Sequence, residues 1–115
     1  MIIRNTNDEI VQETTYIAHG GGIARMLLTN KELRSMLFLA DASLAPGKTI
    51  ETHIDPYEEI YYILEGEGVM MVGDDERRVK KGDAIWIPMG EKHSLVNDTN
   101  ENTGFLVVAN YLHRT

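Results

Sequence analysis

The chain has 115 residues, a length that suits one domain. Its formal net charge of -7 argues against nucleic-acid binding, because contacts with phosphates depend on an excess of Lys and Arg. Cysteine is absent, so disulfides, thiolate ligands and a cysteine nucleophile are excluded. Residues 1–8 have no signal-peptide pattern and no stretch reaches the roughly 18 consecutive apolar residues of a membrane span, so we expect a cytoplasmic protein without membrane contact.

Residues 1–34 are predicted to form an N-terminal arm of the same domain. The three glycines at 20–22 predict a turn, and residues 23–28 predict a strand that follows it. Residues 31–34 predict one helical turn. The sequence His19-Gly-Gly-Gly is similar to an esterase oxyanion loop, but the chain has no G-x-S-x-G nucleophile segment. We therefore interpret the segment as a turn.

Residues 35–115 are predicted to form a β-barrel. Short β-rich runs alternate there with Gly, Asp and Pro turns, at 35–44, 49–53, 59–64, 69–72, 77–79, 84–87, 93–96 and 105–110. Many short strands at nearly regular spacing are typical of an antiparallel sandwich or barrel. Within this pattern Trp86 is predicted to pack inside the barrel, and His113 is predicted to be exposed.

The run 59–64 is apolar on both faces of the predicted strand. Side chains alternate along a strand, so Tyr61 and Ile63 share one face with Glu59, and Ile60, Tyr62 and Leu64 share the other. A strand that is apolar on both faces needs cover on both. One face would fill the barrel, and the N-terminal segment or a second subunit would cover the other. We therefore expect a homodimer.

Two segments carry the spacing of metal ligands, one from Gly47 to Gly66 and one from Gly82 to Asn97. They resemble the two motifs of the cupin family, G-x5-H-x-H-x(3,4)-E-x6-G and G-x5-P-x-G-x2-H-x3-N. One signature position differs, because Asp55 stands in place of the second histidine. The resemblance implies an all-β fold, an antiparallel jelly-roll or double-stranded β-helix barrel, with one divalent metal ion per chain.

The predicted metal ligands are His53, Asp55, Glu59 and His93. A divalent metal needs three or four donors that converge on one point. Strand alternation places His53 and Asp55 on one face, and Glu59 begins the next inward-facing strand. His93 lies far downstream and joins them only if the sheet closes into a barrel. A shift of one residue in the intervening loop would present Glu58 in place of Glu59.

The role of Asp55 stays open among three alternatives. If Asp55 is a ligand, two histidines and two carboxylates form a neutral centre with a divalent ion, which favours Fe2+ or Mn2+, with Zn2+ and Ni2+ also open. If it is not, His53, Glu59 and His93 resemble the facial triad of non-haem iron oxygenases, which leaves positions for oxygen and a chelating substrate. In the third alternative the change has weakened metal binding altogether.

Three further residues are candidates for roles near the ion. Glu51 shares a strand face with the first predicted ligand and is either an acid/base group or an exposed strand end. Tyr61 points inward and either binds the ligand through its hydroxyl or fills the core. His19 is expected to approach the site, if at all, from a neighbouring subunit.

The resemblance implies a small metal-dependent protein but does not choose a reaction. The leading interpretation is an enzyme with oxygenase-type or isomerase-type chemistry on a small organic substrate that chelates the ion. The alternative is a barrel that binds a small ligand without turning it over. Both interpretations name a small molecule as the partner.

Overall fold

A computed structural model of the chain describes residues 1–111, so His113 lies outside the described residues. Within that range no helix has the length and hydrophobicity needed to cross a membrane. The elements in chain order are α1 (Glu9–Gln12), β1 (Tyr16–Ala18), β2 (Gly22–Thr29), β3 (Phe38–Leu44), β4 (Thr49–His53), β5 (Glu58–Glu65), β6 (Glu67–Val72), β7 (Asp75–Lys80), β8 (Ala84–Ile87), β9 (His93–Val96) and β10 (Thr103–Asn110).

The strands form two antiparallel sheets. One has six strands in the order β1-β2-β3-β10-β5-β8, and the other has four in the order β4-β9-β6-β7. Both sheets contribute to one hydrophobic core, for example Leu44 and Phe105 from the first sheet and Leu95 from the second, all at most 1% exposed. The predicted all-β antiparallel barrel is therefore confirmed.

The N-terminal residues agree with the prediction only in part. The glycine turn joins β1 to β2, which pair so that Ala18 lies opposite Gly22. Residues 31–34 do not form a helix, but they begin with one hydrogen-bonded turn in which the Leu33 N–H donates to the Thr29 carbonyl at 2.9 Å. The Glu32 carboxylate accepts the Thr29 N–H at 2.7 Å and caps this turn. The short helix α1 precedes this region and buries Val11, which the sequence pattern had not indicated.

Strand β5 has the two faces that its alternation predicts. Glu59, Tyr61 and Ile63 are at most 3% exposed, whereas the alternate residues remain about half exposed at the surface. Trp86 lies in the neighbouring strand β8, opposite Ile60 and on the same outer face. The prediction that Trp86 packs inside the barrel is therefore wrong, since its side chain is 61% exposed. Its indole Nε1 donates instead to the Glu58 carboxylate at 2.8 Å.

Asn97, the last residue of the second motif, stabilises the fold through hydrogen bonds to the backbone. It is fully buried, and its amide donates to the carbonyl oxygens of Leu44 at 3.0 Å and Glu101 at 2.8 Å. Its carbonyl accepts from the Thr99 N–H at 3.0 Å. Asn97 thus joins the end of β3 to the loop that follows β9, and this satisfies backbone groups that would otherwise be buried without partners.

Candidate metal centre

Closure of the barrel brings four potential ligand side chains together. His53 ends β4 and lies opposite His93, the first residue of β9, in the ladder between these strands. Asp55 follows β4 directly, and Glu59 points inward from β5. One ligand atom from each of these four residues lies within 4.8 Å of the others. The arrangement has the residue types and the convergence that a divalent metal needs.

Asp55 occupies the middle of the cluster. Its Oδ2 lies 3.0 Å from Nε2 of His53 and 3.4 Å from Nε2 of His93. The same His93 nitrogen lies 3.5 Å from Oε1 of Glu59. Both imidazoles therefore face carboxylate oxygens through Nε2.

Backbone carbonyls fix which nitrogen of each imidazole faces the cluster. Nδ1 of His53 lies 2.8 Å from the Glu51 carbonyl, and Nδ1 of His93 lies 2.9 Å from the Glu91 carbonyl. A carbonyl only accepts, so in each case Nδ1 carries the proton. In a neutral imidazole Nε2 then holds a lone pair, which is the form that ligates a metal.

The donor set fits a cation. Nε2 of His93 and Oε1 of Glu59 are buried and have no hydrogen-bond partner. Buried polar atoms are rarely left in that state. Two lone pairs that face each other at 3.5 Å repel unless a proton or a cation lies between them. A divalent ion held by Nε2 of both histidines and by both carboxylates would satisfy all of these atoms.

The two carboxyl groups have opposite pKa shifts. Burial, together with a hydrogen bond and the charge of Asp55, raises the pKa of Glu59 to about 9. Burial also opposes ionisation of Asp55, but the adjacent His93 imidazole, the Glu59 carboxyl group and the His53 imidazole outweigh it and lower the pKa of Asp55. Without a cation, Asp55 thus carries the negative charge and Glu59 keeps its proton near neutral pH. Metal binding must release that proton.

The metal-free protein is expected to lose stability as the pH rises from about 7 to about 8.5. In this window the unfolded chain has lost the Glu59 proton, since the usual pKa is 4.5, whereas the folded chain keeps it. The free energy of unfolding then falls with a slope that approaches about 1.4 kcal/mol per pH unit. Urea denaturation of the metal-free protein measures this slope. Glu59→Gln should flatten it, and an unchanged slope in the variant would contradict the assignment.

Three of the four cluster residues, His53, Asp55 and Glu59, also line a small cavity of about 50 Å³ that is open at one edge. Its lining also includes the hydroxyl-bearing side chains of Tyr16, Tyr57 and Tyr61 and the apolar side chains of Ala40, Ile50 and Phe105. A volume of this size holds a few water molecules or one compact ligand, far less than the roughly 300 Å³ or more of a drug-sized site. The cavity is therefore suited to a ligand with few heavy atoms.

The two predicted acid/base candidates lie in different surroundings. Tyr61 is 3% exposed and lines the cavity, with its ring 4.9 Å from Phe105 and 6.2 Å from His93 between centroids. Glu51 is exposed on β4 and is not among the residues that line the cavity. Of the two, only Tyr61 is placed to contact a ligand in the cavity.

His19 is the site residue that the sequence pattern placed wrongly. It lies at the exposed edge of the cavity within the same chain, with its ring stacked on His53 at 3.4 Å between centroids and 10° between planes. Its φ of 45° is in the left-handed region, which is uncommon for a residue other than glycine. Burial and the neighbouring His53 lower the pKa of His19. The sequence feature that could have indicated a site role for His19 is its position directly before the three glycines of a turn.

Comparison with known proteins finds one family over most of the chain. A family model for the cupin domain matches residues 40–109. The oxalate-binding protein of Thermotoga maritima is 37% identical over 114 residues, which cover 94% of this chain and 92% of that protein. The tetracenomycin polyketide synthase protein TcmJ of Streptomyces glaucescens is 33% identical over 82 residues, 70% of this chain, and the match spans only 55% of TcmJ.

A solved structure has the same architecture. The crystal structure of a predicted oxalate decarboxylase from Thermotoga maritima superposes with a TM-score of 0.80 at 31% identity, over 97% of this chain and 100% of that chain.

Proposed function

Because the chain belongs to the cupin family, we propose that it holds one divalent metal ion and uses it to bind a compact organic ligand that chelates through oxygen. The ion would be held by His53, Asp55, Glu59 and His93, with Fe2+ or Mn2+ favoured by the two carboxylates. The observation that carries the proposal is the pair of buried atoms without partners, Nε2 of His93 and Oε1 of Glu59, which face each other at 3.5 Å where Glu59 lines the cavity.

The protein's own residues have distinct tasks in this proposal. The Glu51 and Glu91 carbonyls orient the two imidazoles through Nδ1. Burial raises the pKa of Tyr61 well above its ordinary value, so its hydroxyl stays a neutral donor to a ligand oxygen. The apolar wall limits water around the ligand. When bound, the ion supplies Lewis-acid polarisation of the ligand oxygens and, if it is iron, a centre for oxygen chemistry.

The size of the cavity supports a ligand with few heavy atoms. At about 50 Å³ it suits a chelator such as a small dicarboxylate, a hydroxy acid or a keto acid. The name of the Thermotoga relative, an oxalate-binding protein, is consistent with that class. The name of TcmJ, a polyketide synthase protein, carries less weight, because the match spans only 55% of that protein. A cavity of about 50 Å³ would also exclude a ligand with many heavy atoms.

Catalysis is the second candidate, with oxygenase-type or isomerase-type chemistry on the chelated ligand. It is favoured by His19, whose imidazole lies at the edge of the cavity, and by Tyr61, whose side chain lines it. Two polar groups beyond the ligand set would allow a proton to move to or from a bound substrate. Incubation of each bound chelator with the metal-loaded protein, followed by NMR of the small molecule, distinguishes turnover from binding.

The binding proposal is tested by calorimetric titration of oxalate into protein loaded with Mn2+. Binding is expected with the loaded protein and not with the metal-free protein, because the ion provides the chelating bond. The matched control is His93→Ala treated with the same Mn2+, which should behave as the metal-free protein does. Equal affinity for oxalate with and without the ion would contradict the proposal.

We also propose that a second copy of the chain covers the apolar outer face of β5 and β8. Ile60, Tyr62 and Trp86 are 44%, 43% and 61% exposed there, and large contiguous apolar surface is typical of interfaces. Light scattering after size exclusion is expected to give the mass of a dimer, and Tyr62→Lys should give a monomer. Ile54→Lys, at a position that is 64% exposed and belongs to neither strand, is the matched control. A monomeric wild-type protein would refute the dimer.

A further inference from the structure

We propose that the Asp55 carboxylate lowers the preference of the site for dianions, so that compact chelators with one negative charge or none gain affinity relative to a dianion of the same shape. The inference rests on the proposed function, because the charge of the site includes that of the ion. It goes further by naming the ligand class and the residue that determines it.

The charged groups of the cavity are few. Among the described residues that line it, the side chains with a full charge are the carboxylates of Asp55 and Glu59, and neither Lys nor Arg is present. Histidine ligates as a neutral imidazole. Two carboxylates therefore cancel the charge of a divalent ion, and the loaded site is formally neutral.

The formal charge of the loaded site is the same whether or not Asp55 is itself a ligand, because its carboxylate lies beside both imidazoles. Its Oδ2 lies 3.0 Å from Nε2 of His53 and 3.4 Å from Nε2 of His93. A negative charge at that point is adjacent to any ion that the two imidazoles hold. The three-histidine set that the family motif implies would leave the loaded site with one positive charge, so the substitution at residue 55 removes one unit.

The apolar surroundings of the site strengthen the effect of that one unit of charge on a bound ligand. The apolar side chains of Ala40, Ile50 and Phe105 lie in the wall of the same cavity, and charge interactions are screened less beside such a wall than in bulk water. The second negative charge of a dianion would meet a neutral centre and the Asp55 carboxylate. A monoanion or a neutral amide or hydroxy compound avoids this repulsion and still accepts from the hydroxyls of Tyr16, Tyr57 or Tyr61.

The test uses three chelators of one shape and different charge, namely oxamide, oxamate and oxalate. Each is titrated by calorimetry into Mn2+-loaded wild-type protein, Asp55→His and Asp55→Asn, after elemental analysis of the bound Mn2+. The preference for oxalate over oxamate is expected to rise about tenfold or more in both variants, a change of about 1.4 kcal/mol for each tenfold step. In the wild-type protein the preference for oxalate over oxamate should be about tenfold smaller than the same preference of free Mn2+ in water. This comparison tests the inference even if a variant loses the ion.

The outcomes separate this inference from the proposed function. If the wild-type protein holds Mn2+ but prefers oxalate as strongly as the free ion does, the charge inference is overturned and the metal site remains. If the variants keep Mn2+ and their preference equals that of the wild type, Asp55 does not lower the preference for dianions. If the wild-type protein holds no Mn2+ at all, the proposed function is overturned and the inference with it.

Discussion

Replacement of His93 by alanine is expected to lower the affinity for a divalent metal ion by about 100-fold or more. His93 is fully buried, and its Nε2 lies 3.4 Å from Asp55 and 3.5 Å from Glu59 without a hydrogen-bond partner. Loss of groups that only orient a ligand already costs about 10-fold to 100-fold, so loss of a ligand costs at least the upper figure. Competition with a chromophoric chelator measures the dissociation constant for Mn2+.

The control for this variant is Lys92→Ala. Lys92 is the neighbouring residue, but its side chain is 50% exposed and pairs only at 3.5 Å with exposed Asp74. Its affinity for Mn2+ should equal that of the wild-type protein. Circular dichroism of both variants checks that the barrel remains folded. A folded His93→Ala protein with wild-type affinity for Mn2+ would show that His93 is not a metal ligand.

Replacement of Gly66 by alanine is expected to destabilise the fold by about 3 kcal/mol. Gly66 has φ +74°, and a Cβ there would overlap the Asn102 carbonyl oxygen and lie 2.9 Å from Cα of Thr103. A left-handed conformation costs an L-residue roughly 1–2 kcal/mol, and a side chain forced into packed backbone adds about 1–3 kcal/mol. The free energy of unfolding from urea denaturation measures the sum.

Gly47→Ala is the matched control for the packing part of this effect. Gly47 has a similar φ of +75°, but nothing lies within 4 Å of the Cβ position. Only the conformational cost of about 1–2 kcal/mol applies there. A loss at Gly66 no larger than the loss at Gly47 would contradict the close approach of the turn between β5 and β6 to the start of β10.

The sequence predicted the features that depend on strand alternation and on local spacing. The inward positions of Glu59 and Tyr61 follow from the period of two residues, which a strand imposes whatever its partners are. The convergence of His53 and His93 followed from the motif spacing and the expectation of a closed barrel. Ligation of a metal by these residues stays a prediction.

Features that depend on register between distant segments were not predictable in the same way. Trp86 is exposed because the ladder between β5 and β8 places it opposite Ile60, on the outer face. His19 reaches His53 because the loop after β1 folds over β4, with the Glu51 N–H donating to the His19 carbonyl at 2.8 Å. Strand alternation alone predicts neither of these two pairings.

Asp55 was the residue that sequence spacing left undecided. Its carboxylate lies 3.0 Å and 3.4 Å from Nε2 of the two imidazoles, so it has the position of a ligand. Whether it binds the ion stays a prediction.

Elemental analysis of the wild-type protein, loaded with Mn2+ or Fe2+ and then freed of unbound metal, tests the central claim most directly. We expect close to one divalent ion per chain, and less than about a tenth of that in His93→Ala treated in the same way. An equal metal content in the two proteins, or no metal in the wild-type protein after loading, would contradict the assignment of His53, Asp55, Glu59 and His93 as one metal centre.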